Sequence, residues 1–187
     1  IPDEEKPGMV RIWRKNNPQI VNLWKKLNDA ALDAVFYKKK IAVRLPNTTI
    51  VMESDGFIFS IQLPSGRKLY YFNPSIGKNK FGGESVTYWR LNQVTKKWRK
   101  DDTYGGKLAE NITQAVARDL LAFKMLELDE NAYMIPIHVH DEVVVEDEKN
   151  PDTLDKILEI MSTNNIPWAE GLPLAADGFV TEFYKKD

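Results

Sequence analysis

Ile135-Pro136-Ile137-His138-Val139-His140-Asp141-Glu142-Val143-Val144-Val145-Glu146 joins two apolar, β-branched runs through an imidazole and two carboxylates. Such runs read as strands, so the stretch predicts a β-hairpin with His140-Asp141-Glu142 at its turn. Turns that contain Asp usually place Gly or Asn beside it to supply positive φ. Here His, Asp and Glu take that place. Adjacent carboxylates repel, and a rigid hairpin holds them together. A bound divalent cation offsets the repulsion, and oxygen ligands at a rigid tip suit Mg²⁺. The alternative is a solvated acidic turn with no ligand. His138 and His140 share a strand face and raise a zinc site. With 2 histidines and 0 cysteines in the chain, however, a carboxylate would have to serve as the third protein ligand.

Outward from the hairpin, the chain changes period. On the N-terminal side a long helix is predicted over 108–128. Leu108, Ile112, Val116, Leu120 and Phe123 form its apolar stripe, widened by Met125 and Leu128, and Lys107, Asn111, Gln114 and Arg118 form a polar one. On the C-terminal side a helix is predicted over 151–161 and a last strand over 178–184. The middle of the chain is β-branched and aromatic, with runs at 41–45, 49–52, 57–61, 68–72, 84–93 and 97–99. Asp55-Gly56 and Pro64-Ser65-Gly66 read as turns between them, so a small antiparallel sheet is expected. Near the start, 18–40 reads as a helix capped by Asn17 and opened by Pro18, with Ile20, Trp24, Leu27, Ala31 and Val35 on one face. Lys38, Lys39 and Lys40 would close it against the helix dipole. A shorter helix is expected over 9–15.

Bulk properties bound the function classes. The 187 residues are 43% hydrophobic and 28% charged, a globular composition able to bury one core, and not a disordered one. No apolar run approaches the roughly 20 residues of a membrane helix, so no membrane partner is expected. The lack of cysteine excludes disulfides and fits a cytoplasmic setting. The first residue is Ile1 and not Met, which suggests a piece of a longer protein. Net charge is −1, but basic residues dominate from Arg67 to Lys107 and acidic ones are frequent from Asp119 onward. That asymmetry fits a backbone-gripping surface beside a cation site, or a lysine-rich solvated face.

Val139-His140-Asp141-Glu142, between an apolar strand and Val143-Val144-Val145-Glu146, resembles motif C of the family A (DNA polymerase I-like) DNA polymerases. Gln114-Ala115-Val116-Ala117-Arg118-Asp119 resembles the glutamine-bearing palm helix of that family. The lead-in Thr103-Tyr104-Gly105-Gly106-Lys107-Leu108-Ala109-Glu110-Asn111 is similar to its bacteriophage and prophage branch. So are Arg14-Lys15-Asn16-Asn17-Pro18-Gln19-Ile20-Val21, Leu63-Pro64-Ser65-Gly66-Arg67, Phe81-Gly82-Gly83-Glu84-Ser85 and Trp168-Ala169-Glu170-Gly171-Leu172-Pro173-Leu174. The resemblance runs in order along nearly the whole chain.

The resemblance implies an α+β fold in which an antiparallel palm-type sheet and a motif C hairpin pack against long helices. It implies a helical segment over 1–40 that follows the fingers, and a palm subdomain over 41–187. The implied activity is template-directed nucleotidyl transfer in DNA replication, with primer–template DNA, deoxynucleoside triphosphates and the rest of the polymerase chain as partners. Asp141 would bind the catalytic Mg²⁺ ions of a two-metal site, with Glu142 as an auxiliary carboxylate. His140 would contact the primer terminus. Gln114 would meet the minor groove, whose acceptors are nearly alike for all base pairs, and Arg118 on the same helix is a further DNA-binding candidate. Arg67 and Lys107 are candidates for gripping phosphates. No segment resembles the family's motif A, which supplies the other essential Asp, or its triphosphate-binding fingers helix. The metal site is therefore incomplete, and this stretch by itself is expected to be inactive. The competing readings are a non-catalytic nucleic-acid-binding module built on the basic middle sheet, and a metal-dependent nuclease. The nuclease would need three or more convergent acids where one good pair is visible.

Overall fold

The computed structural model describes residues 5–148 and 150–184. They form two compact units, Ile1–Thr113 and Gln114–Asp187, and the helix Gly105–Glu130 supplies segments to both. The α+β class is borne out. Among the described residues no helix is long and apolar enough to cross a membrane.

The first unit opens with α1 (Lys6–Asn16) and α2 (Pro18–Tyr37). Asn17 does not cap α2 with its side chain, as the sequence suggested. Its backbone N–H and its Nδ2 both donate to the Trp13 carbonyl, at 3.0 and 2.8 Å, so it finishes α1 instead. Pro18, with φ already set and no N–H to satisfy, starts α2. Trp13 then stacks on Trp24 with ring centroids 5.7 Å apart. The buried side of α2 is Leu27, Ala30, Ala31, Ala34 and Val35, whereas Ile20, expected beside them, is exposed. The lysine run does not extend the helix. Lys38 turns left-handed (φ 49°) with its N–H on the Ala34 carbonyl, and Lys40 already belongs to a strand.

That strand, β1 (Lys40–Arg44), begins a meander in which each strand pairs antiparallel with the next: β2 (Thr49–Ser54), β3 (Ile58–Gln62), β4 (Lys68–Lys78), β5 (Glu84–Leu91) and β6 (Trp98–Asp102). The turns follow ordinary turn chemistry. Between β2 and β3 the Asp55 carboxylate accepts the N–H groups of Phe57 and Ile58, both at 2.7 Å, and Gly56 takes φ +96°. Those two bonds hold the Asp55 carboxyl below its ordinary value. One face of the sheet carries the core side chains Val43, Ile50, Met52, Phe59, Ile61, Tyr71 and Val86, and α2 packs over it. Strand β4 runs past Phe72, where the sequence reading stopped it. Asn73 (φ 48°) and Pro74 form a one-residue bulge, with Phe72 opposite Trp89 and Ser75 opposite Thr87.

The helix Gly105–Glu130, α3, begins against α2. A Cβ on Gly105 would lie 1.9 Å from the Trp24 carbonyl oxygen, so only glycine permits this approach. Beyond Gly105, the buried residues of α3 are Leu108, Ala109, Ile112, Ala115, Leu121, Lys124 and Leu128, a stripe displaced from the expected one. Val116, Leu120, Phe123 and Met125 are only half-buried beside it.

In the second unit α3 is followed by β7 (Met134–Val139), β8 (Glu142–Glu146), α4 (Thr153–Ser162) and a short 3-10 turn at Pro167–Ala169. Lys124 is buried. Its ammonium reaches the Glu127 carboxylate at 2.5 Å and the Asn165 side-chain Oδ1 at 2.9 Å, and Asn165 Nδ2 also donates to Glu127. Burial would raise the Glu127 carboxyl, but the Asn165 and Lys124 donors outweigh it and the net shift is downward. This trio fastens the loop after α4 to α3, a polar knot within an apolar stripe. The strand expected over 178–184 is not formed. Thr181 closes a local bond to the Phe183 carbonyl, and no ladder partner engages the segment. β-branched and aromatic residues favour a strand only where an edge is available to pair with them.

Candidate functional site

Strands β7 and β8 form a two-stranded sheet of their own. Val139 pairs with Glu142, so the turn consists of His140 and Asp141 alone, and Glu142 is the first residue of β8. The turn is one residue tighter than the sequence suggested. His140 takes φ 52°, a left-handed conformation that costs a non-glycine residue roughly 1–2 kcal/mol. Since His140 leaves the strand at this point, it no longer shares a strand face with His138. A one-residue bulge around Pro136, between Met134 and Ile137, bends β7 below the tip.

His140, Asp141 and Glu142 are all exposed. The side chains of Asp141 and Glu142 enter no hydrogen bond or ion pair among the described residues. A strained imidazole and two unengaged carboxylates thus occupy a tip where Asn-Gly would be the relaxed choice. Strain of this kind concentrates at functional positions. The two carboxylates offer oxygen ligands, which suit a hard cation such as Mg²⁺. Among the described residues, no three His, Cys, Asp or Glu side chains converge into a metal cluster. The pair therefore fits as one edge of a site and does not enclose an ion.

The polar stripe of α3 divides into two roles. Gln114 and Arg118, one helical turn apart, are exposed. Asn111 and Lys107 are occupied within the first unit. Asn111 donates to the Tyr71 hydroxyl at 3.0 Å, and Lys107 Nζ donates to the Asp102 carbonyl at 3.1 Å and lies 3.6 Å from the Asp101 carboxylate. Arg67 sits on a separate element, the β3–β4 turn, where its carbonyl accepts the Leu63 N–H at 2.8 Å.

Sequence reasoning missed the group around Asp101. Arg90 Nε lies 2.5 Å from its carboxylate, and Arg99 and Lys107 each lie 3.6 Å away. Burial tends to raise the Asp101 carboxyl, but Lys107, the Asp102 N–H and Arg90 together bring it below its usual range. Nearby, burial first and the Asp101 charge second push the Tyr88 phenol up to about 12. Two cations directly before two carboxylates on β6, Arg99-Lys100-Asp101-Asp102, signalled the cluster, but only the register of the two strands identifies the partners. The exposed aromatic side chains of β4, β5 and β6 were likewise visible as residues and not as a surface.

No protein-family model matches the chain, and no solved structure does. Over 188 aligned residues, however, it is 43% identical to the DNA polymerase of Bacillus phage SP02, and the alignment covers 100% of this chain. The chain is similar throughout to a phage DNA polymerase. It spans 28% of the length of that relative, so the aligned stretch is a minor part of the phage polymerase.

Proposed function

We propose that the chain is the C-terminal palm portion of a DNA-directed DNA polymerase of family A, and that Asp141 is one of the carboxylates that hold its catalytic metals. The observation that carries this reading is the hairpin tip, where Asp141 and Glu142 stand exposed and unengaged beside a left-handed His140. The similarity to a phage DNA polymerase along the whole chain supports it.

In the reaction the primer 3′-hydroxyl oxygen attacks the α-phosphorus of a deoxynucleoside triphosphate. The new P–O bond forms as the bond to the pyrophosphate oxygen breaks, and the hydroxyl proton is lost. Two Mg²⁺ ions, when bound, supply Lewis acidity at the attacking and leaving oxygens. Asp141 would be a direct ligand, with Glu142 adding negative charge beside it. The hairpin fixes the position of Asp141, so little reorganisation accompanies the step. His140 would position the primer terminus, and Gln114 and Arg118 would follow the minor groove of the newest base pairs. Acceptors common to all pairs occupy that groove, so these residues sense pairing geometry independently of sequence. The partner carboxylate would come from another part of the polymerase chain, and the 187-residue chain alone would not incorporate nucleotides.

Primer extension tests both parts. In the intact polymerase Asp141→Asn should lower synthesis by at least roughly 10²–10³-fold while primer–template affinity stays nearly unchanged. Normal synthesis by that variant would remove Asp141 from the mechanism. Incorporation above background by the chain alone would show that it needs no further carboxylate.

A further inference from the structure

We propose that the sheet face opposite α2 is a stacking platform for single-stranded nucleic acid, centred on Trp89 and Trp98. This surface belongs to the first compact unit, and its function does not depend on Asp141.

Strand register puts the platform together. Phe72 of β4 lies opposite Trp89 of β5, which lies opposite Lys100 of β6, and Leu91 lies opposite Trp98. Side chains alternate across a strand, so Tyr70, two residues before Phe72, shares this face. Tyr70 is 57% exposed, Phe72 47%, Trp89 39% and Trp98 57%. Aromatic side chains left this open on three consecutive strands form a patch that invites a partner. Phe72 and Trp98 meet edge to face with centroids 5.9 Å apart, so the patch is preassembled. The hairpin that carries it ends in an ordered turn. The Asn92 side chain accepts the N–H groups of Val94 and Thr95, both at 2.9 Å, which settles how Lys96 and Lys97 are presented.

Charge selects the partner. From Trp89 to Lys100 the chain carries Arg90, Lys96, Lys97, Arg99 and Lys100 and no acidic residue. Arg90 and Arg99 serve Asp101 on the other face, which leaves Lys100 on the aromatic face and Lys96 and Lys97 in the turn that leads into Trp98. Protein–protein interface cores are depleted in lysine, whereas aromatic residues interleaved with cations match a ligand of flat rings on a polyanionic backbone. Duplex bases cover each other's faces, so only unpaired bases can lie on Trp89 and Trp98. Antiparallel sheets with exposed aromatic side chains hold two or three such bases at once.

Fluorescence anisotropy with a labelled oligothymidylate of about 12 nucleotides, using the whole 187-residue chain, tests the platform. A duplex of the same length is the comparison ligand. The single strand should bind more tightly than the duplex, and binding should quench tryptophan fluorescence. Trp98→Ala, at an exposed position, should weaken single-strand affinity about tenfold with an unchanged circular dichroism spectrum. Lys97→Gln with Lys100→Gln should flatten the salt dependence by about 1.4 in log–log slope and leave the fluorescence quench intact. Equal affinity for duplex and single strand would overturn the proposal, as would single-strand affinity indifferent to both Trp98→Ala and Trp89→Ala. Self-association abolished by Trp98→Ala would overturn it too, by assigning the face to a second copy of the chain.

Discussion

The six-stranded meander and the β7–β8 hairpin share antiparallel pairing, a proline bulge and tight turns, but they differ in what covers them and in how their turns are made. The meander has one face sealed, with Met52, Phe59 and Ile61 at 0% exposure beneath α2. No residue of β7 or β8 is buried to that degree. The meander turns with Asp55-Gly56 and with an Asn92-closed loop in which Lys96 also takes a left-handed φ of 54°. The hairpin turns with His140 at positive φ and a carboxylate beside it. Left-handed backbone occurs in both regions, so it does not separate them; what sets the hairpin tip apart is that its two adjacent carboxylates are exposed and engage no other side chain, whereas the Asp55 carboxylate closes its own turn.

Four changes test that contrast on stability, in decreasing order of effect. Phe59→Ala should cost about 3–5 kcal/mol in urea unfolding followed by tryptophan fluorescence, because the ring is fully enclosed. A loss below about 1 kcal/mol would mean that the meander is not the framework. Gly105→Ala should cost about 1–3 kcal/mol, since the added methyl meets the Trp24 carbonyl and the start of α3 must move. A neutral result would show that this close approach is adjustable.

The third change concerns charge. The Asp101 carboxyl lies below its ordinary value in the folded chain, so the unfolded chain binds the proton more readily. Its contribution is therefore fully present above the unfolded value of about 3.9 and is lost as pH falls through the lower folded value. The stability gap between wild type and Asp101→Asn should be widest near neutrality and close below about pH 4. A gap that does not change with pH would separate this cluster from the acid response. Last, His140→Gly should raise stability by about 0.5–1 kcal/mol, by removing left-handed strain, and should impair synthesis in the intact polymerase. Loss of stability would mean that the imidazole supports the hairpin and would end the contrast there.

Much of the framework is legible in the chain. The β-branched runs, Asp55-Gly56 and Ser65-Gly66 mark the strands and turns of the meander because these choices are local. The same locality misleads where a partner decides the outcome. Residues 178–184 have strand composition and pair with no strand. Asn17 has capping chemistry and a nearer acceptor in the Trp13 carbonyl. The hairpin tip was visible as a motif, since His140, Asp141 and Glu142 are consecutive. Its tightness, and the release of His140 from the strand face, were not.

The sequence by itself determined most element types, with the strand expected over 178–184 the exception, the hairpin with its paired carboxylates, and the likeness to a phage polymerase, because propensity, turn chemistry and consecutive residues need no long-range information. Only the tertiary structure decided that Lys107 and Asn111 face inward while Gln114 and Arg118 face solvent, and that Tyr70, Phe72, Trp89 and Trp98 form one surface. Strand register and helix facing bring together residues far apart in the chain, and each depends on what the opposite element buries.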